Sequence, residues 1–181
     1  MSGGGDINGD GLADLIVGAL HDDPNGDSSG AAFVVFGKTG TTAIDLSNVE
    51  SGIGGFVING ASAGDQAGVT TAYAGDINGD GLDDLLVGAK FADPGGRNDA
   101  GASYVVFGKK DTAAIELSNV ESGTGGFVIN GKVAGDHAAS VGAAGDFNGD
   151  GLNDILVGAP EADTLGADSG SAYLIFGKNN T

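Results

Sequence analysis

Cysteine and tryptophan are absent from this chain of 181 residues, methionine occurs once, histidine twice and proline three times. Without cysteine there can be no disulfide and no thiolate metal or redox centre. The two histidines, His21 and His137, stand at unrelated places, and no zinc spacing can be drawn through them. Basic residues are scarce, 7 Lys and Arg against 25 Asp and Glu, for a net charge of −18. Binding a phosphate backbone needs patches of Lys and Arg, so nucleic acid is excluded as a partner. No run of about 20 apolar residues occurs, so no membrane span is expected. The start, Met1-Ser2-Gly3-Gly4-Gly5, lacks the charged segment and apolar core of a signal peptide, so an export signal is expected elsewhere.

What is plentiful is glycine, 37 residues, together with Asp and Asn. No strict triplet runs through the chain, which excludes collagen, and an apolar fraction of 40% argues against disorder. The glycines and acids concentrate in one nine-residue phrase written three times: D-I-N-G-D-G-L-A-D from Asp6, D-I-N-G-D-G-L-D-D from Asp76 and D-F-N-G-D-G-L-N-D from Asp146. Each copy places oxygen-bearing side chains at its first, third, fifth and ninth places and Gly at its sixth. A hard divalent cation such as calcium takes six to eight oxygens at about 2.3–2.6 Å, and a short loop supplies them only by turning sharply. Gly11, Gly81 and Gly151 permit that turn. The eighth place varies (Ala13, Asp83, Asn153) and reads as free of duty. An EF-hand is excluded, because its twelfth-place Glu is replaced by Val17, Val87 and Val157, inside apolar segments.

The first Asp of the loop recurs at 6, 76 and 146, a period of 70, so each loop belongs to a repeated supersecondary unit. Phe36-Gly37, Phe107-Gly108 and Phe176-Gly177 correspond, as do G-F-V-I-N-G at Gly55 and at Gly126. The units run approximately over 1–70, 71–140 and 141–181 of a single propeller-like segment. The second copy carries one extra residue between Lys90 and Gly101 and another between Asp65 and Asp76, expected in loops or bulges. Within the second unit the pattern predicts strands over Val69 to Ala74, Asp84 to Ala89, Ala102 to Phe107 and Phe127 to Ile129. The one helical signal is a single turn at Ala43 to Glu50 and Ala114 to Glu121, with Ser47 and Glu50, and Ser118 and Glu121, at capping-box spacing.

Leu15-Ile16-Val17 and Phe33-Val34-Val35-Phe36 are apolar without alternation, as in strands covered on both faces. Four-stranded antiparallel sheets covered on both faces and repeated in tandem are the blades of a β-propeller. The expected fold is therefore all-β, a partial β-propeller of about two and a half four-stranded antiparallel blades. A β-sandwich is the alternative, but it would not require the 70-residue self-similarity.

The paired Phe-Gly, the Gly18-Ala19-Leu20, Gly88-Ala89-Lys90 and Gly158-Ala159-Pro160 triplets, and the acidic loops recur in register over essentially the whole chain. In this the chain resembles FG-GAP repeats, which build the seven-bladed propeller of integrin α subunits and also occur in large secreted bacterial proteins. The resemblance implies a loop between the first two strands of each blade, holding calcium by places one, three, five and nine and the backbone carbonyl of place seven. Carried over, the ligands are Asp6, Asn8, Asp10, Leu12 and Asp14; Asp76, Asn78, Asp80, Leu82 and Asp84; and Asp146, Asn148, Asp150, Leu152 and Asp154, three Ca2+ sites in all. The third place is Asn throughout, which lowers ligand charge and affinity. Three such ions would bring the net charge from −18 to −12.

The resemblance further implies a non-catalytic adhesion or protein-binding module, extracellular or at the cell surface, with calcium structural. Two alternatives are an accessory repeat region of a secreted enzyme such as a phospholipase, and a propeller lectin. Lectins of related build use aromatic platforms, and here only Tyr73, Tyr104 and Tyr173 join the phenylalanines. Gly60-Ala61-Ser62-Ala63-Gly64 matches a nucleophile-elbow pattern, but Val133 replaces Ser62 in the next unit, so it reads as a turn. Asp65 and Asp136 are expected to pin turns between blades, and the acidic loops at Asp22-Asp23-Pro24, Asp93-Pro94 and Glu161-Ala162-Asp163 to carry recognition of a protein or glycan ligand. The sequon Asn179-Asn180-Thr181 reads as unused. About two and a half units cannot close a ring, so the chain reads either as an excerpt of a longer propeller or as a homo-oligomer, most simply a dimer, assembled edge to edge.

Overall fold

The computed structural model describes residues 1–178; the sequon lies outside them. The chain folds into three antiparallel sheets in series, the blades of a partial β-propeller. In the first, β1 (Ser2–Gly3), β2 (Leu15–Ala19), β3 (Ala31–Val35) and β4 (Gly55–Asn59) lie side by side in chain order, with α1 (Leu46–Glu50) between β3 and β4. In the second, β5 (Ala67–Gly75), β6 (Asp84–Ala89) and β7 (Ala102–Val106) are followed by β8 (Ile115–Glu116), α2 (Leu117–Glu121) and β9 (Gly126–Asn130), and β9 completes the sheet against β7. The third comprises β10 (Ser140–Gly145), β11 (Asp154–Ala159) and β12 (Ser171–Ile175).

Strand positions agree with the hydrophobic runs that predicted them. The extra residue between Asp65 and Asp76 appears as a bulge, the register of β5 on β6 slipping between Ala67 and Thr70. The other falls in the β6–β7 connection, which carries a short 3-10 turn at Pro94–Gly96. Every residue of β3, β6 and β7 is buried, as strands without alternation require. In β2 the expectation fails at Leu15, which is 51% exposed because that face of the first sheet has no neighbour at its edge.

Successive residues of a strand point to opposite faces, and here each face meets a different blade. Ile16, Val34, Phe56 and Ile58 of the first sheet form one core with Leu85, Val87, Tyr104 and Val106 of the second. Leu86 and Val105, the alternate residues, pack instead on Ile155 of the third. Each fully buried Leu, Ile or Val contributes roughly 1.5–3 kcal/mol, so these two interfaces hold the blades in series.

The second glycine signature follows from this packing. A Cβ on Gly18 of β2 would strike the Gly68 carbonyl of β5, and one on Gly88 of β6 would strike the Ala139 carbonyl before β10. Only glycine lets the second strand of one blade approach the chain entering the next.

Two features differ from the sequence expectations. Neither helical turn uses its serine in a capping box. Asp45 caps α1, accepting from the Ser47 N–H at 3.0 Å and the Ser47 hydroxyl at 2.7 Å, because a short carboxylate one place before the helix reaches the free amide directly. At α2 the corresponding residue is Glu116, drawn across to the first blade: its two oxygens accept from Asn59 Nδ2 and Asn25 Nδ2, each at 2.7 Å. The same strap makes β8 a fifth strand of the first sheet, parallel to β4, with Ile58 opposite Ile115. Glu121 accepts from the hydroxyl of buried Tyr104 at 2.8 Å instead of closing a box.

Candidate metal centres

The three nine-residue loops connect the first two strands of each blade and are built alike. In the first, Asp6 Oδ1 accepts from the Gly9 and Asp10 amides at 2.8 and 3.0 Å, and Oδ2 from Gly11 at 2.9 Å. Asn8 Oδ1 accepts from the Asp10 amide at 2.9 Å, and Asp10 Oδ1 from the Leu12 amide at 2.8 Å. The glycine at the sixth place sits at φ +84, +86 and +89 in the successive loops, the left-handed turn for which the sequence calls. Asp76, Asn78 and Asp80 repeat these bonds, as do Asp146, Asn148 and Asp150.

The ninth-place aspartates differ from the rest in being wholly buried: Asp14, Asp84 and Asp154 are each 0% exposed. Asp14 accepts from the Ile7 amide through Oδ2 and from the Gly37 amide through Oδ1, both at 2.8 Å. Asp84 does so from Ile77 and Gly108, each at 2.9 Å, and Asp154 from Phe147 at 2.8 Å and Gly177 at 2.9 Å. The Phe-Gly glycine of each unit is thus the far anchor of its own acidic loop. A Cβ there would meet the Ala13 carbonyl at 2.5 Å or the Asp83 carbonyl at 2.6 Å, so no larger residue allows the bond. Burial raises the Asp14 carboxyl above its ordinary value; its two amide bonds pull it back, and Asp10 and Asp6 push it up again. Burial likewise pushes Asp84 up to about 6, with the Gly108 and Ile77 amides opposing and Asp80 and Asp76 adding to it.

As they stand, no three carboxylate or histidine side chains among the described residues converge closely enough to hold an ion. The donor chemistry nevertheless fits a hard cation. Each loop offers Asp, Asn and backbone oxygens, with neither sulfur nor imidazole nitrogen. Asp6 uses three of the four acceptor positions of a carboxylate, whereas Asp10 and Asp14 each use two, leaving capacity for a metal. No Lys, Arg or His among the described residues forms a salt bridge with any loop carboxylate.

The other predicted residues lie at the opposite ends of the strands. Two cavities of about 460 Å3 open between blades. Asp65, Asp93 and Glu121 line the first; Asp136 and Asp163, the repeat counterparts of Asp65 and Asp93, line the second together with Glu161. The turn role expected of Asp136 is present, its Oδ2 accepting from the Val133 amide at 3.2 Å. Ser62 lines the first cavity with neither histidine among its neighbours there, so the elbow motif is a turn. His137, in the connection before β10, reaches across the blade junction, its Nδ1 2.8 Å from Glu161, which also lies 3.5 Å from Lys90, and its ring stands edge-on to Phe91.

Sequence reasoning missed Asp83. Its Oδ2 accepts from the Asp6 amide at 2.7 Å, and its own amide donates to the Asp6 carbonyl at 3.2 Å, joining the second loop to the first. Lys109 adds a parallel stitch, its amide on the Ile7 carbonyl at 3.0 Å and its ammonium 5.0 Å above the Phe56 ring. Nothing inside one repeat signals these bonds, because both partners lie in different repeats.

Comparison with known proteins agrees with this architecture. The family model for the FG-GAP repeat matches residues 2–35, 68–106 and 138–175, one match per blade. Integrin alpha pat-2 of Caenorhabditis briggsae is 40% identical over 101 residues, covering 51% of this chain and 7% of the relative. Integrin alpha-PS2 of Drosophila melanogaster is 28% identical over 179 residues, 96% of this chain and 11% of the relative. Phosphatidylinositol-glycan-specific phospholipase D of Mus musculus is 30% identical over 159 residues, 87% of this chain and 18% of the relative. The chain thus spans less than a fifth of the length of each. With all three blades matched in register, the chain belongs to the FG-GAP repeat family.

Proposed function

We propose that the chain is a calcium-binding FG-GAP propeller module serving extracellular or cell-surface adhesion or protein binding, with calcium structural and no catalytic role. The observation that carries the reading is the threefold recurrence of one loop. In each, Asp, Asn and Asp at places one, three and five are oriented by amides, a buried Asp closes the loop, and no Lys, Arg or His among the described residues forms a salt bridge with them. The proposed ligands are Asp6, Asn8, Asp10, Leu12 and Asp14, with their counterparts Asp76 to Asp84 and Asp146 to Asp154. When bound, the ion supplies neutralising charge that lets these carboxylates approach one another. The loop residues in turn fix the hairpin that enters β2, β6 and β11.

Integrin and phospholipase names among the relatives leave the partner open. The cavities between blades, lined by the acidic loops, are the proposed contact surface for a protein ligand. The lectin alternative is disfavoured by Tyr104, which is 0% exposed and hydrogen-bonded to Glu121, so it offers no platform.

Thermal unfolding in EDTA and in about 1 mM calcium tests the metal. At an affinity near 0.1 mM, in the weak range of extracellular modules, each site adds roughly 1.4 kcal/mol by mass action, about 4 kcal/mol for three. Calorimetry should count three ions, and two in Asp80→Ala. Equal melting temperatures with and without calcium would refute the reading.

A further inference from the structure

Asp83 lies at the eighth place of the second loop, between the proposed ligands Leu82 and Asp84, yet its side chain serves the first. The clamp is double. Its carboxylate holds the Asp6 N–H at 2.7 Å and its amide holds the Asp6 carbonyl at 3.2 Å, so one residue of the second blade grips both peptide groups flanking the Asp6 Cα. The following amide, of Ile7, is held by Asp14 at 2.8 Å. Asp6 therefore has its backbone fixed on both sides while its carboxylate is aimed by Gly9, Asp10 and Gly11.

The arrangement is specific to this junction. At the next one, Asn153 keeps the main-chain bond, its amide on the Asp76 carbonyl at 3.2 Å, but no side chain among the described residues accepts the Asp76 N–H. Its amide group lies instead against Gly75. The first loop has Ala13 at this place, with no acceptor to offer.

We propose that Asp83 is a positioning residue for the first calcium loop, so that the affinity of one blade's loop is set by a residue of the next. The inference rests on the reading of the loops as calcium sites. Its physical basis is preorganisation: a ligand whose backbone is already fixed loses less freedom on binding, and partners that orient a ligand from outside typically change metal affinity about 10- to 100-fold. Because Asp83 is flanked by two ligands of the second loop, occupancy there holds the clamp in place, and by linkage the two loops assist each other.

The test is a calcium titration followed by amide NMR at Gly11, Gly81 and Gly151, whose N–H groups donate to Asp6, Asp76 and Asp146 and report the loops separately. In Asp83→Ala the Gly11 midpoint should weaken roughly tenfold while Gly151 stays put and Gly81 moves far less. Asp83→Asn keeps an oxygen acceptor and should recover most of the loss. An unchanged Gly11 midpoint, an equal shift at Gly81, or an Asn variant no better than Ala would overturn the proposal, the last by assigning the effect to charge. A wild type in which none of the three glycines responds to calcium would instead overturn the metal reading, and this inference with it. Hydrogen exchange in the wild type needs no variant to fold: the Asp6 amide should be protected well beyond that of Asp76, and equal exchange would refute the clamp.

Discussion

Replacing Gly88 by alanine puts the blade packing to a direct test. Gly88 lies in β6 with ordinary strand backbone, so the substitution carries no conformational strain and, in the unfolded chain, would by itself favour folding by about 0.4–1 kcal/mol. What opposes it is space. The new methyl would collide with the Ala139 carbonyl oxygen, with that carbonyl's carbon 3.1 Å away, and with the Thr70 hydroxyl that donates to the same oxygen. The Thr70 hydroxyl is a side chain of the same blade and can rotate, but the Ala139 carbonyl is backbone directly before β10, so its relief requires the entry to the third blade to move away from the second. Overpacking of this kind costs about 1–3 kcal/mol, and a backbone obstacle puts Gly88→Ala at roughly 3. With a urea slope near 2 kcal/mol/M the midpoint should fall by about 1.5 M. Gly158, its counterpart in β11, provides the control. A methyl there meets only Ser140, its Cβ at 3.1 Å and its carbonyl oxygen at an ordinary 3.6 Å, because the far face of the third sheet has no neighbour. Gly158→Ala should stay within about 0.5 M of wild type by circular dichroism. Midpoints that agree for the two variants would show that the glycine of the Gly-Ala pair is not kept for blade contact.

Two further outcomes follow from the clefts and the end faces. Burial first, then Glu121 and Asp93 against a single opposing amide from Ser62, pushes the Asp65 carboxyl up to about 6. A folded-state value above the unfolded one near 3.8 means that this group favours folding fully below about pH 4 and loses that contribution as pH rises through 6. Asp65→Asn should therefore raise stability at pH 7 by roughly 1–2 kcal/mol and leave it unchanged at pH 4; a variant that melts lower than wild type at pH 7 would refute the assignment. The third sheet exposes Leu156 at 42% on the face that in the first two sheets packs on the next blade, and the first sheet exposes Leu15 at 51% on the face that elsewhere receives one. Covering one with the other in a second copy would repeat an interface already present twice; we propose that the isolated chain dimerises in this way, and light scattering that finds a monomer at high concentration would refute this.

How much of this was readable beforehand depends on where the determining contacts lie. Strand positions were legible because burial on both faces leaves unbroken apolar runs, and the second sheet was placed almost residue by residue. The turns of the acidic loops were legible because a sharp bend within nine residues calls for glycine at one fixed place, and Gly11, Gly81 and Gly151 take it with positive φ. Capping was misread at Ser47 because Asp45, two places earlier, bonds both its amide and its hydroxyl, and at Ser118 because Glu116 and Glu121 had better partners in β4, the β2–β3 connection and β7. Each of those partners is distant in sequence.

Asp83 is the clearest case of the same limit. Comparing the three repeats place by place averages over what each residue does within its own unit, and by that measure Ala13, Asp83 and Asn153 look interchangeable. The bond that distinguishes Asp83 runs to the preceding unit, 77 residues away, and is specific to one of the two junctions. A repeat whose units are alike inside can therefore still be tuned one junction at a time, through the positions that the internal pattern leaves unconstrained. The eighth place is the one at which all three loops differ, and, on the calcium reading proposed above, variation there should alter the affinity of the neighbouring loop more than that of its own.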